Sequence, residues 1–269
     1  IDEADLIFFF LSQLLLLFQL FLQGTYKIIP MLEALQQIDQ QLLLTLNGLH
    51  APFWDNFMWI VSAKLTWVPM YATLLYILCR NFNIRVTLFT VIAIALTITY
   101  ADQVCATLIR PMVERMRPSN PDNPLSEFVH ILHGKRGGRY GFPSCHASNS
   151  FGLAFLVMLL FKQKWLTIFI LSWAILNSYS RIYLGVHYPG DLLAGMLVGL
   201  SGALILYYLY RYALRQPLLT KWLHYDSQNQ LLIENPRKIK YTSTTLYAGL
   251  ITIALIAIYS GINLLYPFE

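Results

Sequence analysis

Three short stretches of this chain gather the residue types that handle phosphate. The first runs Arg-Pro-Met-Val-Glu-Arg-Met-Arg-Pro over 110–118. If it is helical, the seven-residue step from Arg110 to Arg117 returns to nearly the same face, while Arg115 points elsewhere. Pro111 marks a place where that helix can kink. The second stretch is Gly-Phe-Pro-Ser-Cys-His-Ala-Ser over 141–148. Pro143 and Ser144 read as a helix start, and the amides of Cys145 and His146 would then face outward, where an anion can meet them. The third stretch is Ser180-Arg181, then His187, then Asp191, with Gly185 and Gly190 in the loop and Pro189 at an early helical position. An imidazole and a carboxylate four residues apart across a helix start can hydrogen-bond. The carboxylate then fixes the tautomer and leaves the other ring nitrogen free to attack. Planar Arg forks match phosphoryl oxygens bidentately. Taken singly, each stretch has a plainer reading: arginines snorkelling to headgroups, an interfacial histidine, or a carboxylate complementing a helix dipole for less than about 1 kcal/mol.

Apolar helices must position these residues. The chain is 57% hydrophobic and 12% charged, with a mean hydropathy of +0.52. That composition excludes an ordinary soluble domain and makes the lipid bilayer its solvent. Apolar runs near the roughly 20 residues a span needs lie at 57–79, 85–108, 147–162, 165–180, 191–213 and 244–266, the third and fourth being short. The expected fold is all-α, a polytopic membrane helix bundle of about six spans. Alternating spans bring the ends of all three stretches to one membrane side. Leu35, Ile38, Leu42, Leu46 and Leu49 recur at helical steps over 32–49, which predicts an amphipathic helix lying in the interface. Its alternative is a helix packed against the bundle. Asp55 is expected to cap the first span, and Trp54, Trp59 and Trp67 suit the interfacial belt. A further apolar run over 6–23 is expected to be an extra N-terminal anchor helix; its alternatives are an uncleaved signal-like segment and an upstream extension, since Met31 would also serve as a start. The resulting division is an apolar N-terminal segment 1–30, a core bundle 31–213, a cytoplasmic basic loop 214–242 and a C-terminal transmembrane helix 243–269.

Orientation follows from the basic residues. Arg80, Arg85, Lys162, Lys164, Arg211, Arg215, Lys221, Arg237, Lys238 and Lys240 fall on one side, which is read as cytoplasmic. Arg110, Arg115, Arg117, Lys135, Arg136, Arg139 and Arg181 fall on the other, where an anionic substrate gives them a reason to be basic. Cys79, Cys105 and Cys145 show no spacing of a disulfide framework or zinc site. No metal-binding carboxylate cluster is present in the pattern, so no metal and no cofactor are expected. Asp102 reads as a structural residue, a partner for an Arg or for Lys64 or a member of a polar network. The loop over 134–140 either meets headgroups or is solvated.

These motifs resemble the type 2 phosphatidic acid phosphatase superfamily, membrane lipid phosphatase branch. Arg110, Arg117 and Pro118 match its first motif, Pro143, Ser144 and His146 its second, and Ser180, Arg181, His187 and Asp191 its third. The resemblance covers roughly 32–213. It implies a hydrolase in which His187 is the nucleophile, His146 the acid and base, and Asp191 the orienting carboxylate. It implies phosphate binding by Arg110, Arg117, Ser144, Cys145, Ser180 and Arg181. Two positions depart from the pattern: Arg110 stands where Lys is commoner, and Cys145 where Gly is usual, which leaves the local backbone angles open. The implied partner is a phosphorylated membrane lipid, with no role for nucleic acid. Candidates are lipid A, undecaprenyl pyrophosphate, phosphatidylglycerol phosphate and phosphatidic acid, and the long basic loop favours the large headgroup of lipid A. The expected place is a bacterial inner membrane with the site on its periplasmic face. A phosphotransferase of the same family is the alternative, and an anion channel or transporter a remote one.

Overall fold

A computed structural model of the protein describes residues 30–224 and 236–265, so the apolar run at 6–23 lies outside the described residues. The chain divides into two compact units, residues 1–42 and 43–269. In the first, residues 30–42 are helical; in the second, the opening residues 43–47 form helix α1. The second holds all three phosphate-handling stretches and is described from here on.

Each expected apolar run in this unit is helical, but the first is broken. Its residues form α2 (Pro52–Val61), a 3₁₀ turn over Lys64–Trp67 and α3 (Val68–Asn81), with the two α-helices bent by 71°. Side chains hold the break. The Trp67 indole donates to the Val61 carbonyl at 2.9 Å and the Thr66 hydroxyl to the Ile60 carbonyl at 2.7 Å, satisfying acceptors at the end of α2. Asp55 does not cap α2. The helix starts earlier, at Pro52, so Asp55 sits a full turn inside and accepts instead from the Tyr183 hydroxyl at 2.6 Å.

Helix α4 (Ile84–Gln103) begins at Asn83, whose side chain accepts from the Val86 amide at 2.9 Å. It widens into a π-helical stretch over Val104–Ile109 and closes as α5 (Arg110–Val113). Pro111 has no N–H to give the preceding turn, and the widened backbone precedes it directly. Glu114, at φ 49°, ends the helix. The helical seven-residue step from Arg110 to Arg117 is therefore not realised. Arg117 lies beyond the helix, in an extended segment paired antiparallel with residues 139–141.

Helix α6 (Cys145–Phe161) is the centre of the bundle, packed by α4, by α7 (Lys164–Tyr183) and by α8 (Pro189–Ala213). Its buried residues cover every face, as a central helix requires. Small residues let α6 and α8 approach: a Cβ on Gly195 would meet Ala147 Cβ at 3.1 Å, and one on Gly199 would meet the Gly152 amide nitrogen at 2.7 Å. This seam sets the starts of α6 and α8 side by side. After α9 (Pro217–Leu223), α10 (Ser243–Leu265) packs on α2 and α3. Among the described residues α4 with its extension, α8 and α10 are each long and apolar enough to cross a membrane, and the α2–α3 pair reaches that length and hydropathy only when its two bent helices are taken together. Helix α6 is shorter, at 17 residues, and α7 buries polar Asn177, Ser178, Ser180 and Arg181. The protein is an all-α, polytopic membrane helix bundle.

Candidate active site

Helix ends build the site. Tyr188 is the N-cap of α8, and Asp191, three residues on, returns its Oδ2 to the Tyr188 amide at 3.1 Å. The same Oδ2 lies 3.2 Å from His187 Nδ1. With Asp191 ionised, Nδ1 carries the proton and donates, and Nε2 keeps its lone pair. The carboxylate thus caps the helix and orients the imidazole together. His187 is 1% exposed and Asp191 0%. Burial pushes the His187 pKa well below its ordinary 6.5, and Arg117, Arg181 and Arg110 push it the same way. The ring is neutral at physiological pH, the form in which Nε2 can attack or accept a proton.

Arginines surround it. Arg117 Nη1 donates to the Val186 carbonyl at 2.9 Å and stands 2.6 Å from His187 Nε2. Arg181, in the last turn of α7, donates Nη1 to Ser62 Oγ at 2.5 Å. Arg110 donates Nη2 to the Pro143 carbonyl at 3.0 Å and to Cys145 Sγ at 2.9 Å. Each of the three also has a buried Nε–H with no hydrogen-bond partner. Three buried, unmet guanidinium donors around one imidazole are a donor set for a multivalent oxyanion.

Ser144 is the N-cap of α6, fully buried, and accepts from the Ala147 amide at 3.4 Å. That cap leaves the amides of Cys145 and His146 at the helix head, where the dipole favours an anion. Cys145 is the first residue of α6 with ordinary helical backbone, so this position does not need the left-handed freedom of glycine. His146 follows it and, with Cys145, lines a cavity between α3, α4, α6 and α7. The structure thus brings together Arg110, Arg117, Arg181, Ser144, Cys145, His146, His187 and Asp191. Ser180 differs: fully buried, it donates back to the Asn177 carbonyl at 2.6 Å, within its own helix.

The structure adds residues that sequence reasoning missed. Arg115 does not point away. Its Nη1 donates to Asp191 Oδ1 at 3.0 Å, and its guanidinium lies 3.8 Å from the Tyr188 ring centre. Backbone pairing places it there: the Gly141 amide donates to the Arg115 carbonyl at 2.9 Å and the Arg117 amide to the Arg139 carbonyl at 3.0 Å. Gly141 itself packs against the catalytic candidates. A Cβ there would stand 3.0 Å from Arg117 Cγ, 3.2 Å from Asp191 Oδ2 and 3.4 Å from His187 Nδ1. Ser62, freed by the α2–α3 break, is the acceptor for Arg181. The basic loop is built into the fold as well. Arg136 donates to the Ser119 carbonyl at 2.8 Å and Ser126 Oγ at 3.0 Å, and Lys135 lies 4.7 Å from the Trp59 ring centre.

Bundle and site together have the makeup of a membrane lipid phosphatase. The chain belongs to the PAP2 superfamily, whose model matches residues 88–215. It is 51% identical over 230 residues to a lipid A 4'-phosphatase of Bacteroides thetaiotaomicron, covering 86% of this chain and 98% of that protein. It is 38% identical over 183 residues to a lipid A 4'-phosphatase of Porphyromonas gingivalis, covering 68% of this chain and 77% of the relative. An undecaprenyl-diphosphatase of Sulfolobus acidocaldarius is 32% identical over 167 residues, 62% of this chain and 72% of the relative. Among solved structures there is no significant match.

Proposed function

We propose that the protein is a lipid A phosphatase that releases inorganic phosphate from the phosphorylated glycolipid through a phosphohistidine at His187. The observation that carries this reading is the buried His187–Asp191 pair, with Nε2 2.6 Å from Arg117 Nη1 and with unmet guanidinium N–H groups on Arg110, Arg117 and Arg181. In the first step Nε2 attacks phosphorus and the sugar oxygen leaves, protonated by His146. In the second, His146 takes a proton from water, which attacks the phosphohistidine and frees phosphate. Asp191 stabilises the charged imidazole, and Arg115 holds Asp191. Arg110, Arg117, Arg181 and the amides at the head of α6 bind the phosphoryl oxygens as charge spreads over them, with Ser144 fixing that helix start and Ser180 bracing the Arg181 turn.

Arg117 occupies Nε2 in the structure, so substrate phosphate must draw that guanidinium onto its own oxygens before attack. The starts of α6 and α8 and the ends of α5 and α7 meet at the site, which supports a position at one membrane face. A basic, anion-binding face opposite the ten cytoplasmic-type residues supports the periplasmic side of a bacterial inner membrane. The named relatives support lipid A as substrate, and the undecaprenyl-diphosphatase supports an isoprenoid diphosphate as the second reading. The test is phosphate release in detergent from lipid A, undecaprenyl diphosphate, phosphatidylglycerol phosphate and phosphatidic acid. Lipid A is expected to have the highest kcat/KM, with turnover lost in His187→Ala. A preference for another lipid overturns the substrate, and an active His187→Ala overturns the mechanism.

A further inference from the structure

Beside His146 and Cys145 a cavity of about 560 Å³ runs into the bundle. Much of its lining is apolar, formed by Trp67, Tyr71, Leu74, Leu78 and Trp173 among others. Its lining also carries Ser62, Lys64, Asp102 and Asn149. Ser62 is the acceptor for Arg181, and Asn149 lies one turn along α6 from Cys145 and His146, so this polar zone adjoins the phosphate-handling residues. Asn149 Nδ2 donates to Asp102 Oδ1 at 3.1 Å, and Asn149 Oδ1 is a buried acceptor with no partner. Of the sequence's alternatives for Asp102, pairing with an arginine, pairing with Lys64 or joining a polar network, the bond to the Asn149 amide is the last. A carboxylate and an amide oxygen side by side ask for donors, either N–H or O–H, from whatever occupies the cavity.

We propose that Asp102 and Asn149 are specificity-determining residues that accept hydrogen bonds from the sugar hydroxyl and acyl-amide N–H groups flanking the phosphate of a glycolipid, with its acyl chains in the apolar chamber beyond. The proposal rests on the glycolipid-phosphatase reading of the His187 site. A glycolipid carries such donors within a few bonds of its phosphorus. An isoprenoid diphosphate offers none between phosphorus and chain, and its added negative charge faces the Asp102 carboxylate. Lys64 shares the lining and offsets that carboxylate's repulsion of the phosphate itself. A site built to accept a substrate's donors rejects an analogue that lacks them more strongly than an apolar pocket discriminates by size, because its own polar groups are left unpaired.

The test compares kcat/KM of the full-length protein in detergent on lipid A with that on undecaprenyl diphosphate and phosphatidic acid. Asp102→Asn is the first variant, and Asn149→Ala the second in case the first disturbs α4. Asp102→Asn is expected to lower the ratio of glycolipid to donor-free lipid by about 10- to 100-fold, the loss expected for a hydrogen bond to a charged acceptor, and Asn149→Ala, which removes a neutral acceptor, by about 3- to 10-fold. A ratio that moves by less than about threefold in both variants, or donor-free lipids falling in step with the glycolipid, overturns the assignment. Wild-type protein that releases no phosphate from lipid A overturns the underlying reading, and the assignment with it.

Discussion

Arg115 offers the sharpest perturbation, because no motif marks it and the structure gives it a definite job. Its guanidinium donates to Asp191 Oδ1 while Oδ2 serves His187 and the Tyr188 amide. The Asp191 side chain is 1% exposed and that of Arg115 21%, so the pair is mostly shielded from water. Replacing Arg115 by Ala removes one charge-assisted hydrogen bond from a buried carboxylate, a loss of about 1.5–3 kcal/mol. The carboxylate is then freer to swing off Nδ1, and the imidazolium that forms during attack loses part of its partner. If the whole loss falls on the transition state, kcat/KM drops roughly 10- to 150-fold. The assay is phosphate release from lipid A in detergent, with thermal unfolding measured in parallel. Arg115→Lys should recover part of the loss, since a cation can still reach Oδ1 without the planar stack on Tyr188. Arg139→Ala is the control: its backbone pairs with Arg117, but its side chain lies over Tyr140, outside the His187–Asp191 couple. Arg115→Ala turnover within twofold of wild type would refute the reasoning.

Gly141→Ala puts a methyl within 3.0–3.4 Å of Arg117, Asp191 and His187. Those groups must shift by a few tenths of an ångström, and kcat/KM should fall by about tenfold or more while the protein stays folded. Gly199→Leu should act on stability instead. Its side chain would wedge α6 from α8, costing about 1–3 kcal/mol by overpacking, read as a lower melting temperature in detergent. The pH dependence follows from His187. Its pKa is depressed in the folded protein, so the unfolded chain holds the proton more readily below pH 6.5. The stability this residue contributes is full above about pH 6.5 and is lost as pH falls from there through the folded value. The acid limb of kcat/KM assigned to His187 should accordingly lie below 6.5, checked by a pH–rate profile. Phosphate release is also expected to persist in a metal chelator, and restoration of lost activity by magnesium would count against the charge-only site.

The geometry of the candidate site was legible in the sequence wherever it is local. His187 and Asp191 meet because four residues across one helix start bring them together. Ser144 caps α6 because a Pro-Ser pair before an apolar run reads as a helix beginning. Side-chain partners made by distant pairing were not legible. Arg115 reaches Asp191 only because residues 115–117 pair with 139–141 across a loop, and helical phase assigned it to the wrong side. Ser62 and Lys64 sit in what hydropathy reads as one continuous span. The break depends on indole and hydroxyl bonds from Trp67 and Thr66 back to α2, which a hydropathy window cannot register. Cys145 was uncertain because glycine at a motif position suggests special backbone angles, whereas here the residue is helical and its thiol meets Arg110.

The most direct measurement is capture of the covalent intermediate. Protein mixed with lipid A labelled in its phosphate is quenched in alkali within the first turnover, digested, and the labelled peptide identified. The label is expected on His187, stable in base, labile in acid, and missing from His187→Ala; accumulation in His146→Ala would mark His146 as the residue that activates water. Label on another residue, or phosphate released by His187→Ala at the wild-type rate, would contradict a reaction through His187.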